Sequence, residues 1–159
     1  MVINLLPMKA LKATLQKAGF KNVSTYIQSG NIVLSSSQNP EEQIASLIKH
    51  EFGFHPAVLA ITKTAFETAT LNNPFQEYEG KYVHVYFCKD TPNLNAQKLA
   101  SVVADTEECR LVGNVFYIHA PQGIARSKLV ANVEKCLGVA ATGRNLNTAQ
   151  KLTQMLKMV

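Results

Sequence analysis

Two polar, basic runs near the C-terminus hold the residues of this chain best suited to chemistry. In Gly123-Ile124-Ala125-Arg126-Ser127-Lys128, a glycine, a hydroxyl and two cations lie close together. In Thr142-Gly143-Arg144-Asn145-Leu146-Asn147-Thr148, a glycine and a guanidinium are followed by two amides and a hydroxyl. Both runs fall where helix starts are expected, and free backbone N–H groups at such a start favour an anion. Ser127 can cap the helix or touch the ligand, Arg126 offers a planar fork suited to phosphate or carboxylate, and Lys128 offers a mobile point charge. Gly143 permits an unusual backbone angle, Arg144 supplies charge, and Asn145, Asn147 and Thr148 supply donors. The anion-contact candidates are therefore Gly123, Arg126, Ser127, Lys128, Gly143, Arg144, Asn145, Asn147 and Thr148. The same residue types also serve as plain helix caps, with Arg126 and Lys128 in water and Arg144 paired with an acid such as Glu134. Gly123 opens no GxxxxGK[ST] loop, which argues against a Walker-type nucleotide site.

Outside these runs the chemistry is sparser. Gln28, just before the Ser29-Gly30-Asn31 turn, and Asn31 within it are secondary ligand candidates, although a tight turn alone accounts for short polar residues there. Tyr26, Tyr78, Tyr82 and Tyr86 could offer stacking platforms for bases, but strand spacing equally puts Tyr82 and Tyr86 on a packed sheet face. His50, His55, His84 and His119 are dispersed, without the close His/Cys spacing of a zinc site, so no metal and no cofactor is expected. His84 and His119 lie on expected strands and could approach each other. Cys88 and Cys136 sit among apolar residues and read as buried small hydrophobes; Cys109, beside Glu107, Glu108 and Arg110, reads as more exposed. Acidic neighbours raise a thiol pKa and argue against a nucleophile. There is no GxSxG elbow and no recognisable triad, so no run identifies a reaction.

Charge narrows the partners. The chain has 16 Lys and Arg against 11 Asp and Glu, and six of those cations against one acid fall in its last 45 positions. An excess of that kind favours an anionic small molecule or nucleic acid as partner. Hydrophobic residues at 47% against 17% charged argue for a packed core rather than a disordered chain. No stretch nears the roughly 18 consecutive apolar residues of a membrane span, and the opening Met-Val-Ile-Asn-Leu-Leu lacks a basic signal-peptide start. Three widely spaced cysteines leave no full disulfide framework and fit a reducing cytoplasm.

The elements that must position these residues fall into two similar halves. Met8, Leu11, Leu15 and Ala18 mark one face of a helix that Pro7 can open and Gly19 stops. Strands are expected at residues 23–28 and 32–35, a helix at 41–52 ended by Gly53, a strand at 58–61, and a short helix at 64–71. The second half runs strand 82–87, helix 93–103, a hairpin turned at Gly113-Asn114, helix 127–137, closing strand 140–143 and a final amphipathic helix carrying Leu146, Ala149, Leu152 and Leu156. On the strand at 82–87, Val83, Val85 and Phe87 share one face while Tyr82, His84 and Tyr86 share the other. The turns at Gly30-Asn31 and Gly113-Asn114 recur in the same element order, which reads as a duplication. The expected fold is α+β, with tandem ferredoxin-like (β-α-β-β-α-β) lobes, antiparallel sheets and an extra C-terminal helix. Residues 1–75 form the first lobe and residues 80–159 the second. The first lobe lacks most or all of its first strand, since residues 2–6 make at best a stub ahead of the first helix.

Leu6-Pro7-Met8, Thr25-Tyr26-Ile27-Gln28-Ser29-Gly30-Asn31, Asn73-Pro74-Phe75, Gly123-Ile124-Ala125-Arg126-Ser127-Lys128-Leu129 and Ala141-Thr142-Gly143-Arg144-Asn145-Leu146-Asn147-Thr148 together resemble the bacterial family known as domain of unknown function 1697. The resemblance implies two ferredoxin-like lobes in tandem and brings no established activity. Family members usually begin with a strand leading into Arg-Gly-Ile-Asn-Val-Gly-Gly, a block absent here. Three functions fit the residues. The leading one is a binding or interaction module holding an anionic ligand, nucleic acid included, on its basic C-terminal lobe. The second is an enzyme on a small phosphorylated or carboxylated substrate between the lobes, and the third a scaffold that forms a homodimer.

Overall fold

Leucines one turn apart decide how the first helix lies. The computed structural model describes residues 7–26 and 30–159, so the stub at residues 2–6 and the candidate Gln28 fall outside the described residues. Helix α1 (Met8–Lys17) follows Pro7 and buries Leu11 and Leu15 completely. Each such burial contributes about 1.5–3 kcal/mol relative to leaving the side chain in water. Strands β1 (Lys21–Tyr26) and β2 (Asn31–Ser35) pair antiparallel, with Thr25 opposite Ile32 and Tyr26 opposite Asn31. The ladder is irregular between Lys21 and Ser24, where Asn22 takes φ 56° and its side-chain amide donates to Ser35 Oγ at 3.0 Å. Asn is among the few non-glycine residues that tolerate this left-handed region.

Helix α2 (Glu41–Phe52) opens on an Asn39 turn, in which Oδ1 accepts the Glu41 N–H at 3.0 Å. It ends at Gly53, left-handed at φ 79°. Ile44 and Ile48 of α2 join Leu11, Leu15 and Val23 in one core, against which Ile32, Leu34 and Val58 pack. Among the described residues no strand is seen at the expected 58–61. Val58 is half-buried there and packs against the α1–α2 core. Helix α3 (Lys63–Leu71) follows.

The second sheet is built from β3 (Val83–Cys88), β4 (Glu108–Val112), β5 (Val115–His119) and β6 (Ala141–Asn145). Their order is β4-β5-β3-β6 with every neighbouring pair antiparallel, the ferredoxin-like arrangement. Helices α4 (Ala96–Val102), α5 (Lys128–Ala131) and α6 (Val133–Leu137) supply the two crossovers. The single helix expected at 127–137 is interrupted at Asn132, whose backbone (φ −120°, ψ 15°) leaves the helical region. The expected helix at 93–103 is shorter because Asn95 caps it, its Oδ1 accepting the Lys98 N–H at 3.0 Å. The closing strand runs on to Asn145 rather than stopping at Gly143. Cys88, Phe116 and Ile118 pack with Leu129, Val133 and Leu137 to form the core between sheet and helices.

The fold is therefore α+β, with two sheet units and an additional C-terminal helix α7 (Leu146–Leu156), consistent with ferredoxin-like lobes in tandem. The chain divides into two units, residues 1–66 with 151–159, and residues 67–150. Among the described residues no helix is long and apolar enough to cross a membrane.

Candidate functional site

Ser127 is fully engaged within the chain. Its Oγ accepts the Val130 N–H at 3.1 Å, capping α5, and donates to Glu107 Oε2 at 2.6 Å. The other oxygen of Glu107 accepts the Ala104 N–H at 2.9 Å. A carboxylate thus already stands at the helix start where an anion would need to sit. Gly123, left-handed at φ 84°, closes the turn after β5 with its N–H on the Ala120 carbonyl at 2.9 Å. Arg126 and Lys128 point into solvent on either side of Ser127.

In the second run the reading of Gly143 is corrected. Its backbone is not left-handed; the side chain is missing because the Tyr86 ring lies over it, and a Cβ there would meet Tyr86 Cδ1 at 2.8 Å. Gly143 and Tyr86 are direct cross-strand partners on β6 and β3. Asn145 acts as the cap of α7, its Oδ1 accepting the Thr148 N–H at 2.8 Å. Asn147 is exposed with its side-chain amide against Gly80, so that any Cβ on Gly80 would overlap it. Arg144 is half-buried, its Nη1 donating to the Gly143 carbonyl at 2.7 Å, and burial pulls its guanidinium below the usual arginine range.

Register shows how the two runs relate. β5 and β6 both run antiparallel to β3, so both runs open from the same end of the sheet. Arg144 and α5 lie on its opposite faces. Arg144 stands opposite Val85, which pairs on its other side with Tyr117, whereas α5 packs through Leu129 on the face of Phe116 and Ile118. The sheet therefore separates Arg144 from the helix that follows Arg126 and Ser127. In the first unit Asn31 is buried, its amide donating to the Tyr26 carbonyl at 3.3 Å across the hairpin.

The expected approach of His84 and His119 does not occur. His84 pairs with Ile118 and His119 with Val83, which puts the two imidazoles on opposite faces. Burial pulls the His84 pKa below its ordinary value. Cys88 and Cys136 are buried and Cys109, half-buried, is the more exposed of the three, as expected. Burial raises all three thiols; for Cys109 the neighbouring Cys136 and then Glu107 add to it. None has the character of a nucleophile. Among the described residues no group of three His, Cys, Asp or Glu could hold a metal ion.

One constellation gave no local sign in the sequence. The Tyr78 ring stacks on His119 with centroids 3.7 Å apart and planes 5° from parallel. Tyr78 also donates its hydroxyl to Glu108 Oε1 at 3.1 Å, and His119 Nδ1 lies 3.7 Å from that same oxygen. The Glu108 bond and charge, followed by burial and Glu77, raise the Tyr78 pKa. Phe75 completes the cluster at 6.1 Å from His119 and 6.2 Å from Tyr78, its N–H held by Asn73 Oδ1 at 2.9 Å. These side chains come from segments far apart in the chain, which only the sheet brings together.

Charge divides by unit in a way that linear position hides. Residues 67–150 hold eight Lys and Arg against eight Asp and Glu. The first unit holds Lys9, Lys12, Lys17, Lys21, Lys49, Lys63, Lys151 and Lys157 against Glu41, Glu42 and Glu51, and so carries the whole excess of +5. None of these lysines forms an ion pair among the described residues, and all but Lys12 are exposed.

Comparison with known proteins adds family and fold. No curated protein matches the chain. The solved structure of conserved bacterial protein SP0830 from Streptococcus pneumoniae is similar, with a TM-score of 0.61 and 21% identity over 98% of this chain and 93% of that one. At that identity the likeness speaks for the fold alone. The model of one family, described as protein of unknown function (DUF1697), matches residues 3–117, and with the block order and tandem sheets already described, the chain belongs to that family.

Proposed function

We propose that the protein is a binding module for nucleic acid, drawn to the phosphate backbone chiefly by the lysines of its first unit. The observation that carries this reading is the imbalance of eight lysines against three acids there, with no ion pair to neutralise them among the described residues. Lysines on solvent-facing positions can each displace a condensed counterion from a phosphate, and this release drives sequence-independent binding. Lys9, Lys17 and Lys21 serve as the leading contacts because α1 and the start of β1 bear no acid. Arg126 and Lys128 are additional contacts, exposed on either side of a capped Ser127. Arg144, Asn145 and Gly143 contribute to the fold of the second unit and are not assigned to the ligand.

Binding of labelled single-stranded RNA, single-stranded DNA and duplex DNA at rising salt tests the reading. For single strands the logarithm of affinity should fall by about 0.7 per decade of salt for each phosphate contact. The triple substitution Lys9→Gln, Lys17→Gln, Lys21→Gln should flatten that slope by about two units on the same basis. Absence of salt-dependent binding to all three nucleic acids would overturn it.

A further inference from the structure

The carboxylate of Glu108 has one oxygen within reach of two groups. Tyr78 holds it through a hydrogen bond of 3.1 Å, and His119 Nδ1 stands 3.7 Å away with no hydrogen-bond partner among the described residues. The His119 side chain is only 9% exposed, so water does not serve that nitrogen freely, while Glu108 is 56% exposed and opens the cluster to solvent. A buried polar atom without a partner is uncommon in folded proteins and calls for an explanation. Here the flat phenol of Tyr78 covers one face of the imidazole, and its hydroxyl takes the acceptor beside that ring.

A planar ring stacked on an aromatic side chain, with an edge donor on a carboxylate, is also how single-stranded bases are read. Among the bases, guanine alone presents two adjacent N–H donors on its pairing edge that match the two oxygens of one carboxylate. Adenine places an acceptor nitrogen there, which a carboxylate repels. We propose that His119, Phe75 and Glu108 form a stacking slot for a guanine base, and that the ring of Tyr78 fills this slot in the free protein. A guanine that enters displaces Tyr78, lies on His119 and donates to Glu108. Phe75, buried and fixed through its backbone N–H on Asn73 Oδ1, forms the rigid side of the slot. The slot goes beyond the electrostatic reading above and stands in the second unit, whose formal charges balance.

Guanosine carries no phosphate, so its binding separates this slot from lysine-driven attraction. Calorimetric titration of the full chain with guanosine and adenosine at fixed salt is the test. Tyr78→Ala should bind guanosine at least about tenfold more tightly than the unaltered chain, the gain expected from removing one competing contact. The same variant should prefer guanosine to adenosine by about tenfold, and adding Glu108→Gln should erase that preference. Heteronuclear NMR spectra establish that each variant is folded. Should Tyr78→Ala fail to fold, Tyr78→Phe keeps the ring but frees Glu108 and should still bind guanosine more tightly than the unaltered chain. A folded Tyr78 variant with no gain, or one that gains equally for adenosine, would overturn the proposal, whatever the binding of long nucleic acids.

Discussion

The Ser127 hydroxyl and the Glu107 carboxylate lie 2.6 Å apart, joining the start of α5 to the residues that lead into β4. This bond gives the Gly123 run its local structure and sets what substitution there should do. Ser127→Ala removes a cap acceptor and leaves Glu107 short of a donor, at a cost of about 1–2 kcal/mol. The midpoint of urea unfolding should drop accordingly. Affinity for nucleic acid should stay unchanged, because Ser127 spends its hydrogen-bonding capacity inside the chain. A variant that unfolds normally but binds less would instead make Ser127 a ligand contact.

Gly143 is a glycine because of its neighbour across the sheet. Alanine there must push aside the Tyr86 ring, whose nearest edge would otherwise sit well inside van der Waals distance. Gly143→Ala should therefore destabilise by about 1–3 kcal/mol, the usual cost of overpacking. The backbone itself takes alanine without strain. Combining it with Tyr86→Ala should cost less than the two changes added separately, since the clash vanishes with the ring. A thermodynamic cycle from denaturant melts reads this coupling directly.

Tyr117 is almost wholly buried, and its hydroxyl donates to the Ala69 carbonyl at 2.7 Å. Tyr117→Phe keeps the ring but strands that carbonyl in a dry setting, which should cost about 1–3 kcal/mol. Hydrogen exchange at the C-terminal end of α3 should speed up more than exchange in β6. Equal acceleration everywhere would mean that the bond supports global stability alone.

What could be read in advance was what repeats locally. Leu11 and Leu15 declared α1 through their spacing, and Gly53 and Gly138 marked helix ends because both adopt the left-handed conformation. The second sheet followed from alternation and from the Gly113-Asn114 turn. Register was another matter. The approach of His84 and His119 failed by a single position, because β3 sets His84 against Ile118 instead of His119. A one-residue difference moves a side chain to the other face, and nothing in either strand alone encodes it. The Tyr78–His119–Glu108 cluster was hidden for the same reason. Gly143 misled because a glycine near a helix start looks like a backbone device, whereas here it makes room for a ring contributed by another strand.

His84 makes stability depend on pH. It is buried on β3, and burial alone lowers its pKa below the usual value. An unfolded chain titrates this histidine near about 6.5. Between that value and the lower folded one, the unfolded chain binds the proton and the folded chain does not. Stability attributable to His84 is thus complete above about pH 6.5 and is lost as pH falls through the folded pKa. Carboxylates also titrate in acid, so the unaltered chain should be compared with His84→Gln, which keeps a polar side chain but cannot titrate. Denaturant melts from pH 7.5 down to about pH 5 should show a steeper fall for the unaltered chain over this range. Parallel curves for the two proteins would mean that His84 accepts its proton equally well folded and unfolded, and that burial on β3 does not govern its charge.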